Sequence, residues 1–344
     1  MSQGAHVRKK KILVLVHALL VPPPKDKIQK IDRFNTEWIT EYDVITELEK
    51  AGHTIEVLGV VSDITKIRRK IEEFKPHIVF NLLEEFDGES LFDQNVVSYL
   101  ELLRIPYTGC NPRGLILGRD KSLTKKILSY HRIKSPNFQV FPRNKKTKTS
   151  KFLNYPLIVK CLNEEASLGI SQASVVNNEE KLKERIDYIH TKIGVDAIAE
   201  QFIEGREFYV GVMGNYRIRP LPVWELIFSN AEKPEKEFYS RQAKWNEKYR
   251  KRKGIKTEKA QLDSSLEKKI QDMAKKTYKA LNLNGYARID LRMNSEGELY
   301  IIEANPNPNI AKDDEFALSA ESIGINYKEL LENLIILGSR WSPT

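Results

Sequence analysis

The sequence predicts an α/β chain that changes character part-way, from a parallel, helix-crossed sheet to a larger mixed portion rich in antiparallel strands. Three observations carry this. Up to about residue 110, apolar strand patterns alternate with amphipathic helix patterns, the order that builds a parallel sheet with crossover helices. From residue 197 the strand patterns grow longer and closer together. The chain also has 344 residues, 41% of them hydrophobic, enough for two or three packed domains rather than one.

The elements follow in order. "ILVLV" (12–16) reads as a buried strand. The basic residues before it give "VRKKKILVLVHALLV" the look of a secretory leader, but no small-residue cleavage site follows and VPPP comes directly, which favours the strand. "TEYDVITELEKAGH" (40–53) is an amphipathic helix stopped by Gly52. "TIEVLGV" and "HIVFN" are strands, with the helical "ITKIRRKIEEF" between them. Next come a helix around 120–130, strands at 137–141 and 156–160, and a helix around 178–190. "AIAEQFI", "EFYVGVMG", "YRIRPLPVWEL", "YARIDLRMN" and "LYIIEAN" are the later strands, with the helical "SSLEKKIQDMAKKTYKAL" among them and "YKELLENLIIL" closing the chain. The expected division is an N-terminal α/β unit at 1–110, a central unit at 111–196 and a C-terminal unit at 197–344.

Composition excludes several classes of function. Cys110 and Cys161 are the only cysteines and lie far apart, so no disulfide framework or zinc cluster is expected and a cytoplasmic location fits. No apolar run approaches the length of a membrane span. The net charge of +9 concentrates in "RNKKTKTSK" (143–151) and "KYRKRKGIKTEK" (248–259). These are solvated loops or contacts to an anionic ligand; without interleaved aromatics, nucleic acid is disfavoured.

The chemistry gathers at the end of the chain. "YARIDLRMNSEGELYIIEAN" is two strands around a Ser-Glu-Gly turn, a hairpin that brings Asp290 near Glu303 and Asn305. Glu303 and Asn305, two apart on a strand, point to one face, and Pro306 and Pro308 are expected to end ladder pairing. Two carboxylates and an amide oxygen suit Mg²⁺, although a solvated hairpin end also carries acids. "GLILGRDKS" (114–122) is not a P-loop, having three residues rather than four between its glycines and no lysine directly after the second. Lysines stand instead at element ends, Lys121 opening a helix and Lys160 ending the buried "PLIVK", where each would meet an anion or water. "EEASLGIS" after it can bring backbone N–H groups to phosphate oxygens. In "AEQFIEGREF", Glu200 and Glu207 bracket a strand end and can accept from adenine or ribose, or simply face solvent.

Together these segments resemble the ATP-grasp superfamily, in its D-alanine–D-alanine ligase-like branch, over nearly the whole chain. "IPYTGCNPRGLILGRDKSLTKKIL", "YPLIVKCLNEEASLGIS", "IAEQFIEGREFYVGV", "KWNEKYRKRKG" and "ARIDLRMNSEGELYIIEANPNP" look like its central segment, phosphate strand with flap, adenine hinge, lid and metal hairpin, in that order. The resemblance implies an N-terminal parallel α/β domain followed by a two-subdomain ATP-grasp fold. It implies that Lys121, Lys160 and Lys248 hold phosphates of ATP, with Ser167 on the flap. Glu200, Phe202, Ile203 and Glu207 would hold the adenosine, and Asp290, Glu303 and Asn305 two Mg²⁺ ions, with Mn²⁺ as an allowed substitute. Arg288 would face the developing oxyanion, and the lid, mobile without nucleotide, would close with Lys248 on the γ-phosphate and Tyr249 over the substrate. The implied reaction activates a carboxylate as an acyl phosphate for attack by an amine, with small molecules or short peptides as substrates and a homodimer as an allowed assembly.

The substrate half departs from the family pattern. "HALLVPPP" stands where a Gly-Gly turn with Ser and Glu is expected, and Ala166-Ser167 replaces a serine pair. "PNIAKDDEF" replaces Pro-Gly-Met, with Asn309 in the glycine position as a residue that tolerates positive φ. Asp313, Asp314 and Glu315 would repel an acceptor carboxylate, so the acceptor is expected to present a cationic or neutral group there. The expected activity is an ATP-dependent carbon–nitrogen ligase of unknown substrates. The alternatives are a D-alanine–D-alanine ligase proper and a nucleotide-binding regulator without chemistry.

Overall fold

The computed structural model describes residues 8–28, 31–145, 147–163 and 170–340. Its first sheet is parallel, with strands β1 (Lys11–His17), β2 (Thr54–Val60) and β3 (Ile78–Asn81) in the order β2-β1-β3. Helices α1 (Ile39–Lys50) and α2 (Thr65–Phe74) make the crossovers. Beyond α1, Gly52 takes φ +88°, the left-handed conformation that ends a helix at low cost when no Cβ is present.

Three helices follow: α3 (Asp93–Leu102), α4 (Pro112–Arg119) and α5 (Lys121–Tyr130). The Arg-Asp-Lys-Ser stretch that mimics a phosphate loop is a helix junction. Asp120 Oδ1 accepts from the backbone N–H of Ser122 and Leu123 at 2.9 and 2.8 Å, capping α5 and setting Lys121 as its first residue.

Two antiparallel sheets complete the fold. Strands β4 (Phe138–Phe141), β5 (Leu157–Cys161), β6 (Val175–Val176) and β7 (Ala197–Gln201) form the first, in the order β4-β7-β5-β6, and α6 (Glu179–Tyr188) packs on it. Residues 197–201, grouped with the C-terminal unit on sequence, thus hydrogen-bond in the middle of the central sheet. The second sheet has the order β10-β9-β8-β11-β12, built from β8 (Arg206–Met213), β9 (Arg219–Phe228), β10 (Ile255–Lys259), β11 (Tyr286–Met293) and β12 (Leu299–Pro306). Between β9 and β10 lie two short helices, α7 (Arg241–Trp245) and α8 (Glu247–Lys253). Helix α9 (Ser264–Ala280) packs on this sheet, and α10 (Glu315–Glu321) and α11 (Tyr327–Ser339) end the chain.

Helix α11 does not stay with the C-terminal unit. Leu330, Leu331, Leu334 and Ile335 share a core with Ile12, Val14, Ile78 and Phe80 of the N-terminal sheet, all 0 or 1% exposed. The far end of the chain therefore covers one face of β1, while Leu13 and Leu15 face α2. Burial on both faces is why β1 is a continuous apolar run rather than an alternating one. Contact is close enough that a Cβ on Gly338 would lie 2.3 Å from the Tyr107 carbonyl oxygen.

Candidate functional site

The cleft of interest lies between the two antiparallel sheets, walled by β5 and β7 on one side and β8, β11 and β12 on the other. The metal-type hairpin forms as its turn predicts: Asp290 pairs with Glu303 and Arg288 with Asn305. The register slips immediately beyond, since Leu291 pairs with Ile301, leaving Ile302 as an extra residue. A bulge of this kind turns the strand and re-aims a neighbouring side chain, here Glu303, into the cleft. The strand runs one step further than expected: Pro306 still pairs with Ala287, and the Asn307 N–H donates to the Tyr286 carbonyl at 3.3 Å. Asn307, not Asn309, takes positive φ (52°), and its Oδ1 accepts from the Cys110 N–H at 2.7 Å. The side chain of Asn309 is occupied with Thr40 and the Ala311 N–H.

Arg288 grips Asp290 with two hydrogen bonds, Nε to Oδ1 at 2.8 Å and Nη2 to Oδ2 at 2.9 Å, and Asn305 Nδ2 donates to Asp290 Oδ2 at 3.0 Å. Burial pushes the Asp290 carboxyl up to about 6, opposed by Arg288 and reinforced by Glu303. Glu303 goes the other way. Burial raises it, but Lys121, with Nζ 3.1 Å from Oε1, and Lys160 prevail and hold it near 2. Two carboxylates facing each other thus differ because one faces an arginine already shared and the other faces lysines.

Glu200 is 1% exposed and sits between two lysines, Lys160 Nζ at 3.1 Å from one oxygen and Lys125 Nζ at 3.4 Å from the other. Burial alone would raise its pKa; the lysines outweigh it and keep the carboxylate below its ordinary range. Phe202, Ile203 and Glu207 line the cleft beside it. Phe202 meets the ring of Phe238 edge-on at 5.8 Å, and Glu207 accepts from the Tyr209 hydroxyl at 2.8 Å. Arg292, 3% exposed, ties this wall together by donating to the carbonyls of Gly205 and Glu237 at 2.8 and 2.9 Å.

The D-ala D-ala ligase C-terminus family model matches residues 122–336. The D-alanine–D-alanine ligase of Halothermothrix orenii is 31% identical over 282 residues, 80% of this chain and 77% of that one. The Aquifex aeolicus enzyme of the same name is 30% identical, over 85% and 92% of the two chains. The chain belongs to the D-alanine–D-alanine ligase family. It is accordingly an ATP-dependent, ADP-forming carbon–nitrogen ligase. The crystal structure of a Bacillus anthracis D-alanine–D-alanine ligase complexed with ATP shares its fold, with a TM-score of 0.73 at 21% identity, over 96% of this chain and 98% of that one. The nucleotide-binding regulator without chemistry is set aside by this membership.

Most of the residues expected for such a ligase converge. Lys160, Glu200, Phe202, Ile203, Glu207, Arg288, Asp290, Glu303 and Asn305 all line one cleft, and Lys121 reaches it through Glu303. The lid residues do not. Lys248 is exposed on α8 and lines no wall of the cleft, whereas Lys244, at the end of α7, does. Tyr249 is 8% exposed in a small core with Leu226, Phe228, Ala243 and Ile255, and Tyr239 lines the cleft instead. The density of charge in 247–253 drew attention to Lys248, but a helix that is basic over successive residues turns most of them to water. The signal for Lys244 was the buried Ala243 beside it under a Ser240 cap. Ser167 lies outside the described residues. Lys125 escaped notice because on α5 it occupies a buried position that periodicity assigns to an apolar residue.

The family uses ATP and Mg²⁺. The chemistry of the donor set here agrees, since Asp290, Glu303 and Asn305 offer only oxygen ligands to a cation and no sulfur or imidazole. Among the described residues, no helix is long and apolar enough to cross a membrane.

Proposed function

We propose that this ligase joins a small-molecule or short-peptide carboxylate to an amine through an acyl phosphate. The observation that carries this is the face-to-face arrangement of Arg288, Asp290, Glu303 and Asn305 against Lys121 and Lys160 in one cleft. In the first step a substrate carboxylate oxygen attacks the γ-phosphorus and ADP leaves. In the second the amine nitrogen attacks the acyl carbon, phosphate leaves, and the nitrogen loses a proton to give the amide.

The roles follow from position. Lys121 and Lys160 supply positive charge to the phosphates, and Lys244 takes the lid role first expected of Lys248. Phe202, Ile203 and Glu207 wall the adenosine, Glu207 accepting from a ribose hydroxyl; Glu200, expected beside them, instead has its two oxygens against Lys125 and Lys160. Asp290, Glu303 and Asn305 would hold two Mg²⁺ ions, or Mn²⁺ in their place, which would neutralise charge on the transferring phosphoryl group. Arg288 has five N–H donors; two are used on Asp290 and Nη1 lies 3.7 Å from Glu315, and the donors of its fork not engaged there would face the developing oxyanion. Preorganised donors of this kind are the largest catalytic resource such a site has, because little bond chemistry is left to the protein.

The acids at 313–315, expected to repel an acceptor carboxylate, have partners of their own. Asp313 is paired with Arg33, itself bound to Asp43 at 2.6 Å, so its charge is compensated. Glu315 lies 3.7 Å from Arg288, and burial together with Glu315 pushes the Asp314 carboxyl well above its ordinary value, so this stretch presents no uncompensated charge that would exclude an acceptor carboxylate. The second reading is ligation of two D-alanines, as the relatives' names state. The test is a screen of carboxylate and amine pairs for ADP release, with hydroxylamine replacing the amine for each productive acid. A trapped hydroxamate is expected. ADP release with no hydroxamate from any productive acid would remove the acyl phosphate, and a strict preference for D-alanine as both partners would establish the second reading.

A further inference from the structure

Lys125 lies one helical turn after Lys121 on the same face of α5 and is 1% exposed. Its ammonium has two partners from different sheets. Nζ donates to the Ile302 carbonyl at 3.1 Å and lies 3.4 Å from Glu200 Oε1. Ile302 is the bulge residue that precedes Glu303, left over by the register slip of the hairpin. Left outside the ladder at the cleft wall, this carbonyl is satisfied by the Lys125 ammonium. Glu200, on β7, holds Lys160 with its other oxygen at 3.1 Å.

Burying an ammonium costs several kcal/mol before its partners offset it, and an apolar side chain of similar volume would pack there more cheaply. Two connections explain the charge. With Lys125 in place, Glu200 keeps one cation whether or not Lys160 turns to a phosphate. The same ammonium fixes the bulge that aims Glu303.

We infer that Lys125 is a positioning residue of the nucleotide site, clamping Glu200 and the Ile302 carbonyl so that Lys160 is free for phosphate and Glu303 faces the cleft. The inference rests on the ligase reading above and names a residue that touches neither nucleotide nor substrate. Without Lys125, the buried Glu200 would have Lys160 as its main counter-ion and would hold it back.

The test is a charge-balance cycle read by calorimetric binding of Mg·ADP and of a non-hydrolysable ATP analogue, without turnover. Lys125→Met should weaken the analogue on the order of tenfold to a hundredfold, the range seen when a supporting partner is removed. Glu200→Gln in the same chain should relieve most of that loss, because no buried carboxylate then competes for Lys160, leaving the smaller share due to the unclamped Ile302 carbonyl. If Lys125→Met does not fold, Lys125→Met/Glu200→Gln should fold and bind within about tenfold of Glu200→Gln alone, the share left to the Ile302 clamp. Affinity within twofold of the parent for Lys125→Met, or a double variant that loses affinity additively or stays unfolded, would overturn the inference. A parent that binds neither nucleotide would count against the ligase reading and this inference together, whereas a binding parent with an unaffected variant counts against the inference alone.

Discussion

Glu41 sits in the first turn of α1, only 4% exposed, with Oε2 buried and without a hydrogen-bond partner. Burial raises its carboxyl from the ordinary 4.5 to about 7, and the neighbouring Glu84 adds to the rise. Because the folded state holds this proton more tightly than the unfolded chain, the associated stability is present below pH 4.5 and is lost as pH rises toward 7. The size is roughly 3 kcal/mol from the shift. Glu41→Gln mimics the neutral acid, so it should match the parent near pH 4 and be more stable at pH 8, the other groups titrating alike in both. Urea unfolding midpoints at the two pH values check this, and a gap that does not widen with pH would refute it. The same reasoning at Asp290 and Glu303 shows why paired acids are poor guides from sequence: their neighbours, not their spacing, set their charge.

The α7–α8 segment is where element and residue part company. Ser240 caps α7 by accepting from the Ala243 N–H at 3.3 Å, and Asn246 caps α8 through the Tyr249 N–H at 2.9 Å. The two caps break what looks like one basic stretch into two helices, and only the first presents its lysine to the cleft. Lys244→Met is therefore expected to lower kcat/KM by about 10²–10³, the usual effect of removing one charge-stabilising group, while Lys248→Met stays within about threefold. Steady-state kinetics of the two variants decide it, and the reverse ranking would restore Lys248 to the lid role. Sequence read 248–259 as one basic loop, missing β10 (Ile255–Lys259), and could not phase the helices before it, since no apolar period runs through 241–253.

At the scale of the molecule, the cores are shared between distant parts of the chain. Leu13, Leu15 and Val79 lie in one apolar cluster with Tyr278, Ile289 and Ile301, and α11 closes the other face of the N-terminal sheet. Leu334→Ala, at a site 1% exposed, should cost 2–5 kcal/mol, the range for a buried leucine truncated in a packed core. Because the cluster joins both ends of the chain, the loss should appear as one earlier transition by both far-UV circular dichroism and tryptophan fluorescence. Separate transitions would mean that the N-terminal sheet has its own stability.

The sequence by itself determined the strand–helix alternation of the first sheet, the hairpin that opposes Asp290 to Glu303, and the family pattern, because strand alternation, a Ser-Glu-Gly turn and element-end lysines are local or period-two signals; it did not show α3, or β10 inside the basic run 248–259. Tertiary structure alone decided the rest. It set β7 in the central sheet and α11 on the N-terminal one, gave the left-handed turn to Asn307, put Lys244 rather than Lys248 on the cleft wall, and drew Lys125, Glu200 and Lys160 into one buried ion cluster. Those outcomes depend on which residues meet across tens to hundreds of positions, and the energy of a buried charge is fixed by the partner it meets there, not by its neighbours in the chain.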